Sequence, residues 1–369
     1  MPIINQVVKG GGTTPTGTKS ITANGVYDVT DFASADVLVP TTAPAHYIEK
    51  AVDANGKLQN STNIINLNGV TDAGNGVLAY TYYQVLFPAN TSIDLSALTT
   101  VSGFYACNSM FYNCTGLTSV DLSGLTTISG YGACSSMFIN CTGLTSIDLS
   151  ALTTLSGDNA CDNMFSGCTG ITSVDLSSLT TVSSNNACYS MFSSCTGLTS
   201  IDLSALTTLS GDSACISMFY GCTGLTSIDL SSLTTVGGNA CNGMFNYCTG
   251  LTSVDLSGLT TISGYGSCQY MFYGCTGLTS VDLSGLTAIS GPAAFQYMFS
   301  GCTSLATVYI GGTTEIDFGT DTDQFSYMFS DCTQNIDVYA PAANQTAIEA
   351  MSDYPNFGGT GTVTWHWRS

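Results

Sequence analysis

At 369 residues the chain is long enough for two or three ordinary domains, but internal repetition overrides that count. Its 44% apolar content excludes a disordered chain, and 25 acids against 5 bases, a net charge of −20, make a surface that repels nucleic acid and anionic lipid headgroups. The cationic side chains are Lys9, Lys19, Lys50, Lys57 and Arg368, with His46 and His366, so the repeated region has neither phosphate clamps nor imidazole bases for catalysis.

The opening MPIINQVVKGGGTTPTGTKS has no basic start, apolar run and cleavage site in series, and no stretch of the chain is long and apolar enough to span a membrane. Synthesis in the cytoplasm without a signal peptide is the expectation, with reduced thiols. Residues 9–18 read as a Gly/Thr linker. In SITANGVYDVTDFASADVLVP, Ile21 and Ala23 alternate with polar residues before an Asn24–Gly25 turn, and Tyr27 and Val29 after it, which predicts a hairpin. The expected organisation is a linker and small β attachment module over 1–45 and a solenoid cap over 46–90. The solenoid itself covers 91–340, and a C-terminal cap with a short helix near 342–352 covers 341–369.

Within the solenoid, Cys114, Cys141, Cys168, Cys195 and Cys222 lie 27 residues apart; the next step, to Cys248, is 26, and those to Cys275 and Cys302 are again 27. Each unit reads as in Cys141-Thr-Gly-Leu144-Thr-Ser-Ile147-Asp-Leu149-Ser-Ala-Leu152-Thr-Thr-Leu155, where Leu144, Ile147 and Leu149 point inward from a short strand. Cys161, Met164, Phe165 and Cys168 then fall at i, i+3, i+4 and i+7, the spacing of one face of a short helix. The expected fold class is therefore an α/β solenoid of leucine-rich repeat type, one short strand and one short helix per coil.

These residues, MFxxCTGLTS(V/I)DLS, resemble the BspA-like branch of the leucine-rich repeats over about 90–340. The resemblance implies a non-catalytic binding role such as surface adhesion. The segment SITANGVYDVTDFASADVLVP resembles small β modules of phage and prophage virion proteins, which implies attachment to other virion proteins through the N-terminus. The leading functional expectation is thus a tail-fibre or receptor-binding protein at the virion or extracellular surface, recognising a bacterial surface glycan or protein. A surface adhesin of BspA type is the alternative and a filament-forming structural repeat the second; a homo-oligomer is compatible with each, and neither nucleic acid nor membrane insertion is expected.

Three sets of residues carry chemistry. Sixteen cysteines include seven Cys-x6-Cys pairs, too far apart on a helix to bridge, and Phe295 and Phe325 stand where the first cysteine is expected. Small core hydrophobes fit that substitution, with bridges between neighbouring coils left open. Asp121, Asp148, Asp175, Asp202, Asp229, Asp255 and Asp282, with Asp94 before them, stack at strand spacing and are expected to raise one another's pKa. They read as a solvated face or, alternatively, as sites for a divalent cation such as Ca2+; no other cofactor is expected. Between coils, variation is confined to the bend and to two positions of the expected helix. The aromatic members, Phe104, Tyr105, Tyr112, Tyr131, Tyr189, Tyr220, Tyr265 and Tyr273, with Tyr247, Tyr270 and Tyr297 beside them on the same segment, are the candidate ligand-binding residues. Their Tyr, Ser, Asn, Gly and Asp composition is that of an antibody paratope, and drift on an exposed face is the alternative.

Overall fold

The computed structural model describes residues 18–21, 37–40, 92–96, 98–319 and 323–369. In the N-terminal region, Thr18–Ile21 pairs with Val37–Pro40 in parallel. The expected hairpin about Asn24–Gly25 falls within residues 22–36, which lie outside the described residues, as do 1–17 and the expected cap at 46–90.

From Ser92 onward the chain winds as a β-solenoid whose coils carry three stacked ladders. The first is made of Ser-(Val/Ile)-Asp strands such as Ser119–Asp121 and Ser146–Asp148, each exposed, buried, exposed. Identical residues face one another across coils, Ser173 beside Ser146 and Asp175 beside Asp148. Five such strands form one sheet; after Asp202 the ladder is interrupted, and a sheet of six runs from Ser227–Asp229 to Val363–Arg368. The second ladder is an unbroken sheet of eight two- or three-residue strands from Thr100–Val101 to Ala288–Ser290. Its threonines lengthen the ladder: Thr153 and Thr207 each donate their hydroxyl to the carbonyl of the matching threonine one coil earlier, 3.3 and 3.0 Å away.

The third ladder occupies the segment that sequence spacing assigned to a helix, and it is not helical. In the coil from Gly157 to Cys168, the amides of Ala160, Asp162, Met164, Ser166 and Cys168 each bond the carbonyl three residues back, at 3.1–3.2 Å. The intervening amides, of Asn159, Cys161, Asn163, Phe165 and Gly167, donate instead to the next coil at 2.8–2.9 Å. Tandem turns thus use half of the backbone groups and the inter-coil ladder the other half, so none is orphaned. The geometry needs a left-handed residue at every fourth position: Asn159, Asn163 and Gly167 here, and Asn186, Ser190 and Ser194 in the next coil. The period of four sends two residues in and two out. Ala160–Cys161, Met164–Phe165 and Cys168 are buried, and over eight residues this inward set cannot be told from the i, i+3, i+4, i+7 face of a helix.

The core repeats with the backbone. Nine phenylalanines, Phe111 to Phe329, stack coil on coil with centroids 5.0–5.9 Å apart and planes within 12°. All sixteen cysteines are buried free thiols, as the apolar reading held, and none bridges neighbouring coils. The second cysteine of each unit has a further use, since its Sγ donates to a phenylalanine carbonyl of the preceding coil, Cys168 to Phe138 at 3.0 Å and Cys222 to Phe192 at 3.1 Å. Phenylalanine therefore replaces only the first. Coils approach so closely that a Cβ on Gly157 would sit 2.2 Å from the Gly130 carbonyl oxygen.

At the C-terminal end the strand ladder continues past the repeat motif through Ile336–Pro341 and Val363–Arg368, with the short helix Gln345–Glu349 between them. Phe357 fills the core position beyond Phe325, and its carbonyl accepts the Phe329 amide.

The turn ladder makes a stability prediction that a helix reverses. Asn163→Val should cost about 1–2 kcal/mol, the strain of a left-handed β-branched residue, while Asn163→Gly should be close to neutral. In a helix interior the glycine variant would be the worse of the two, by a fraction of a kcal/mol. Urea midpoints of the two variants decide.

Candidate functional site

Two surfaces can contact a ligand. On the strand face, the space above the sheet forms an open trough of about 710 Å³ over Ser146–Asp148, Ser173–Asp175 and Ser200–Ser204, reaching Asp229. A second of about 490 Å³ runs from Ser227 to Asp282 and ends at Tyr309. Here the aspartates differ from expectation. Each Oδ1 of Asp121, Asp148, Asp175, Asp202, Asp229, Asp255 and Asp282 accepts the backbone amide of the serine two residues on, at 2.8–3.0 Å. The hydroxyls of Ser123, Ser150 and Ser204 also donate to it, at 2.6–2.7 Å. These bonds favour the carboxylate, so Asp148, Asp202 and Asp229 are held below the usual range rather than raised by their neighbours. Stability from this effect is present above the usual carboxylate range and lost as pH falls. Among the described residues no group of three or more His, Cys, Asp or Glu side chains is placed to hold a metal ion.

The other surface is the outward side of the turn ladder, where the varying residues lie. Its make-up is in large part a backbone requirement. Asn, Gly and Ser fill the left-handed positions because Gly and Asn tolerate that conformation best, which accounts for much of the paratope-like composition without any ligand. Several varying side chains are also less exposed than expected: Asn108, Ser135 and Ser300 are buried, because each lies between inward pairs and against neighbouring coils. Others serve the ladder. Asp158 accepts the Asn185 amide at 2.9 Å, and Asn185 that of Asp212 at 3.1 Å.

The aromatics are the exception. Tyr105, Tyr247, Tyr270, Tyr297 and Tyr327 occupy left-handed positions, with φ between 50° and 58°, where other coils have Ser, Asn or Gly and, once each, Ala293 and Asp331. A bulky residue there is strained, and neighbours are adapted to it. Tyr247 lies over Gly274, whose added Cβ would come 2.7 Å from the ring, and Tyr105 lies over Gly132 at 2.4 Å. The structure gathers these candidates into two clusters. Phe104 stacks on Tyr131 at 5.2 Å, with Tyr105 edge-on to both. A continuous strip then runs Tyr220, Tyr247, Tyr273, Tyr270, Tyr297, Tyr327, with successive centroids 5.0–5.8 Å apart. Burial raises the Tyr270 phenol, and a hydrogen bond with Tyr247 raises that of Tyr273. Tyr112 and Tyr189 belong to neither cluster, and Tyr265 flanks the strip as an electrostatic neighbour of Tyr270.

Tyr327 was missed from the sequence because Phe325 follows Phe295 by 30 residues rather than 27, so a fixed period passes over it. The signal was there: Tyr270, Tyr297 and Tyr327 each directly precede Met-Phe.

The model of the BspA-type leucine-rich repeat region matches residues 91–215 and 245–352 in six copies. The chain belongs to the BspA-type leucine-rich repeat family. The unmatched interval between the two spans contains the start of the 26-residue coil, next to the interruption in the strand ladder. A search of curated proteins finds no significant match. Among solved structures, a leucine-rich repeat protein of T. pallidum is 19% identical over 60% of this chain and 80% of its own, with a TM-score of 0.34. One from Bacteroides ovatus is 19% identical over 80% and 88%, with a TM-score of 0.29. A leucine-rich cell surface protein of Faecalibacterium prausnitzii is 19% identical over 80% and 83%, with a TM-score of 0.35.

One varying carboxyl gives this BspA-type repeat surface a pH response. Burial raises Asp162 from the ordinary range to about 6. Because the folded state prefers its protonated form, its contribution is full at acid pH and lost as pH rises through about 6. Asp162→Asn should therefore raise the melting temperature at pH 8 and change it less at pH 4.5, a difference that thermal scans at the two pH values measure. Burial also pushes Cys222 and Cys268 up to about 12 and Cys332 to about 11, so the thiols stay protonated. Iodoacetamide at neutral pH should leave the folded protein unmodified and alkylate sixteen thiols after unfolding, read by intact mass.

Proposed function

We propose that the protein is a non-catalytic binding protein that recognises a glycan or protein on a bacterial surface through the aromatic side of its turn ladder. The observation that carries this reading is the placement of Tyr247, Tyr270, Tyr297 and Tyr327 at left-handed positions. Each is held at a cost of about 1–2 kcal/mol that a Gly would avoid, and Tyr247 and Tyr327 are 43% and 44% exposed. Strain kept in an exposed aromatic is a mark of function rather than of folding. Membership of a repeat family of surface-binding proteins supports the same reading.

Where the binding protein is carried is the finer part of the proposal. Attachment to a phage or prophage tail through residues 1–45 is supported by the resemblance of that segment to virion β modules; display on a bacterial envelope, as an adhesin, is supported by the family. Immunogold labelling separates them by decoration of virions or of the cell envelope.

The binding claim itself is tested by Tyr270→Ser/Tyr297→Ser/Tyr327→Ser. Serine occupies the equivalent position in other coils, at Ser136, Ser190 and Ser217, so the melting temperature should be unchanged or raised while cell binding is lost. Unchanged cell binding with a retained fold contradicts the proposal.

A further inference from the structure

Resting on the reading that the turn side binds, the geometry points to the ligand: we infer that the strip from Tyr220 to Tyr327 holds a neutral, extended β-1,4-linked hexopyranose chain laid along the solenoid axis, one sugar per coil.

Periodicity is the first argument. Tyr270, Tyr297 and Tyr327 repeat at 5.0 and 5.1 Å with planes within 7° of parallel. A protein surface is aperiodic and has no use for equivalent rungs, whereas a polymer with a matching repeat meets the same contact at regular intervals. A β-1,4-linked hexopyranose chain with equatorial linkages is extended and advances by about one coil spacing per sugar, each sugar turned over relative to the last so that the same contact recurs at every second coil, while an α-1,4-linked chain coils and leaves the register.

The chemistry of the rungs agrees. Rings stacked along the axis turn their edges and hydroxyls outward, which makes a row of donors and acceptors rather than a row of faces. Tyr273 stands at 71° to Tyr270, so its ring face is turned sideways to that row, available for the apolar face of a sugar. Alongside the stack runs a ladder of amides, Asn242 Nδ2 to Gln269 Oε1 at 3.2 Å and Gln269 Nε2 to Gln296 Oε1 at 2.6 Å, whose remaining groups suit sugar hydroxyls.

Charge argues against anionic polymers. The repeats hold no Lys, Arg or His, and the chain carries a net −20, so phosphate- or carboxylate-bearing polymers are repelled.

The test titrates the full chain with cello-oligosaccharides and chitin oligosaccharides from one unit to six, with malto-oligosaccharides of equal length as the comparison. Expected is tighter binding with each added β-1,4-linked unit until the strip is filled, a plateau after that, and malto-oligosaccharides at least about tenfold weaker. Insensitivity to added salt is expected as well. The triple variant Tyr270→Ser/Tyr297→Ser/Tyr327→Ser, with its melting temperature kept, should lose about tenfold or more. Absence of binding by both β-1,4-linked series, equal binding of the malto series, or unchanged affinity in the folded triple variant overturns the inference. If protease treatment of the cells abolishes binding that the triple variant also lacks, the ligand is a protein: this inference fails while the binding role stands.

Discussion

The fold depends on one backbone device, a left-handed residue at every fourth position of the turn segment. It reverses the chain locally so that half of the amides close turns and the other half point into the neighbouring coil. A helix would keep all of its hydrogen bonds to itself and space neighbouring coils by its own diameter of about 10 Å. The turn ladder brings that side to strand spacing, so all three sides of a coil advance by the same small step. The phenylalanine stack with its 5.0–5.9 Å spacing is possible only for that reason.

Close coil spacing in turn decides what each repeated residue does. The threonines carry a hydroxyl to the preceding coil, the second cysteines carry a thiol to a phenylalanine carbonyl, and the bend acids and asparagines accept the next coil's amide. The aspartates of the strand face are engaged within their own coil by the following serine. Most repeated polar groups are therefore structural. What remains unexplained by folding is the set of tyrosines placed where the backbone disfavours them, and this is why recognition is proposed for the turn side.

The sequence shows the solenoid, its period, the inward residues and the apolar role of the cysteines, because each depends on which side chains are buried and burial repeats every 27 residues. It does not show the turn ladder. Cys161, Met164, Phe165 and Cys168 satisfy a period of 3.6 and a period of four equally well over eight residues, and the choice between them is made by hydrogen bonds to another coil. A clue lay in the residues between: Asn159, Asn163 and Gly167, four apart, are poor helix formers and good left-handed ones. The tyrosines were legible as candidates, but their distinction from the Asn, Gly and Ser around them needed φ angles. For Asp148, Asp202 and Asp229 the spacing suggests repulsion and says nothing of the Asp–Ser turns that favour ionisation.

The backbone of the turn segment in solution tests the account most directly. Solution NMR of the deuterated chain, through amide–α-proton couplings and Cα and Cβ shifts over residues 157–168, reads φ at each residue. The account predicts positive φ at Asn159, Asn163 and Gly167, with slow exchange for the amides of Cys161 and Phe165 that bond the next coil. A continuous run of helical shifts from Gly157 to Cys168 would contradict it.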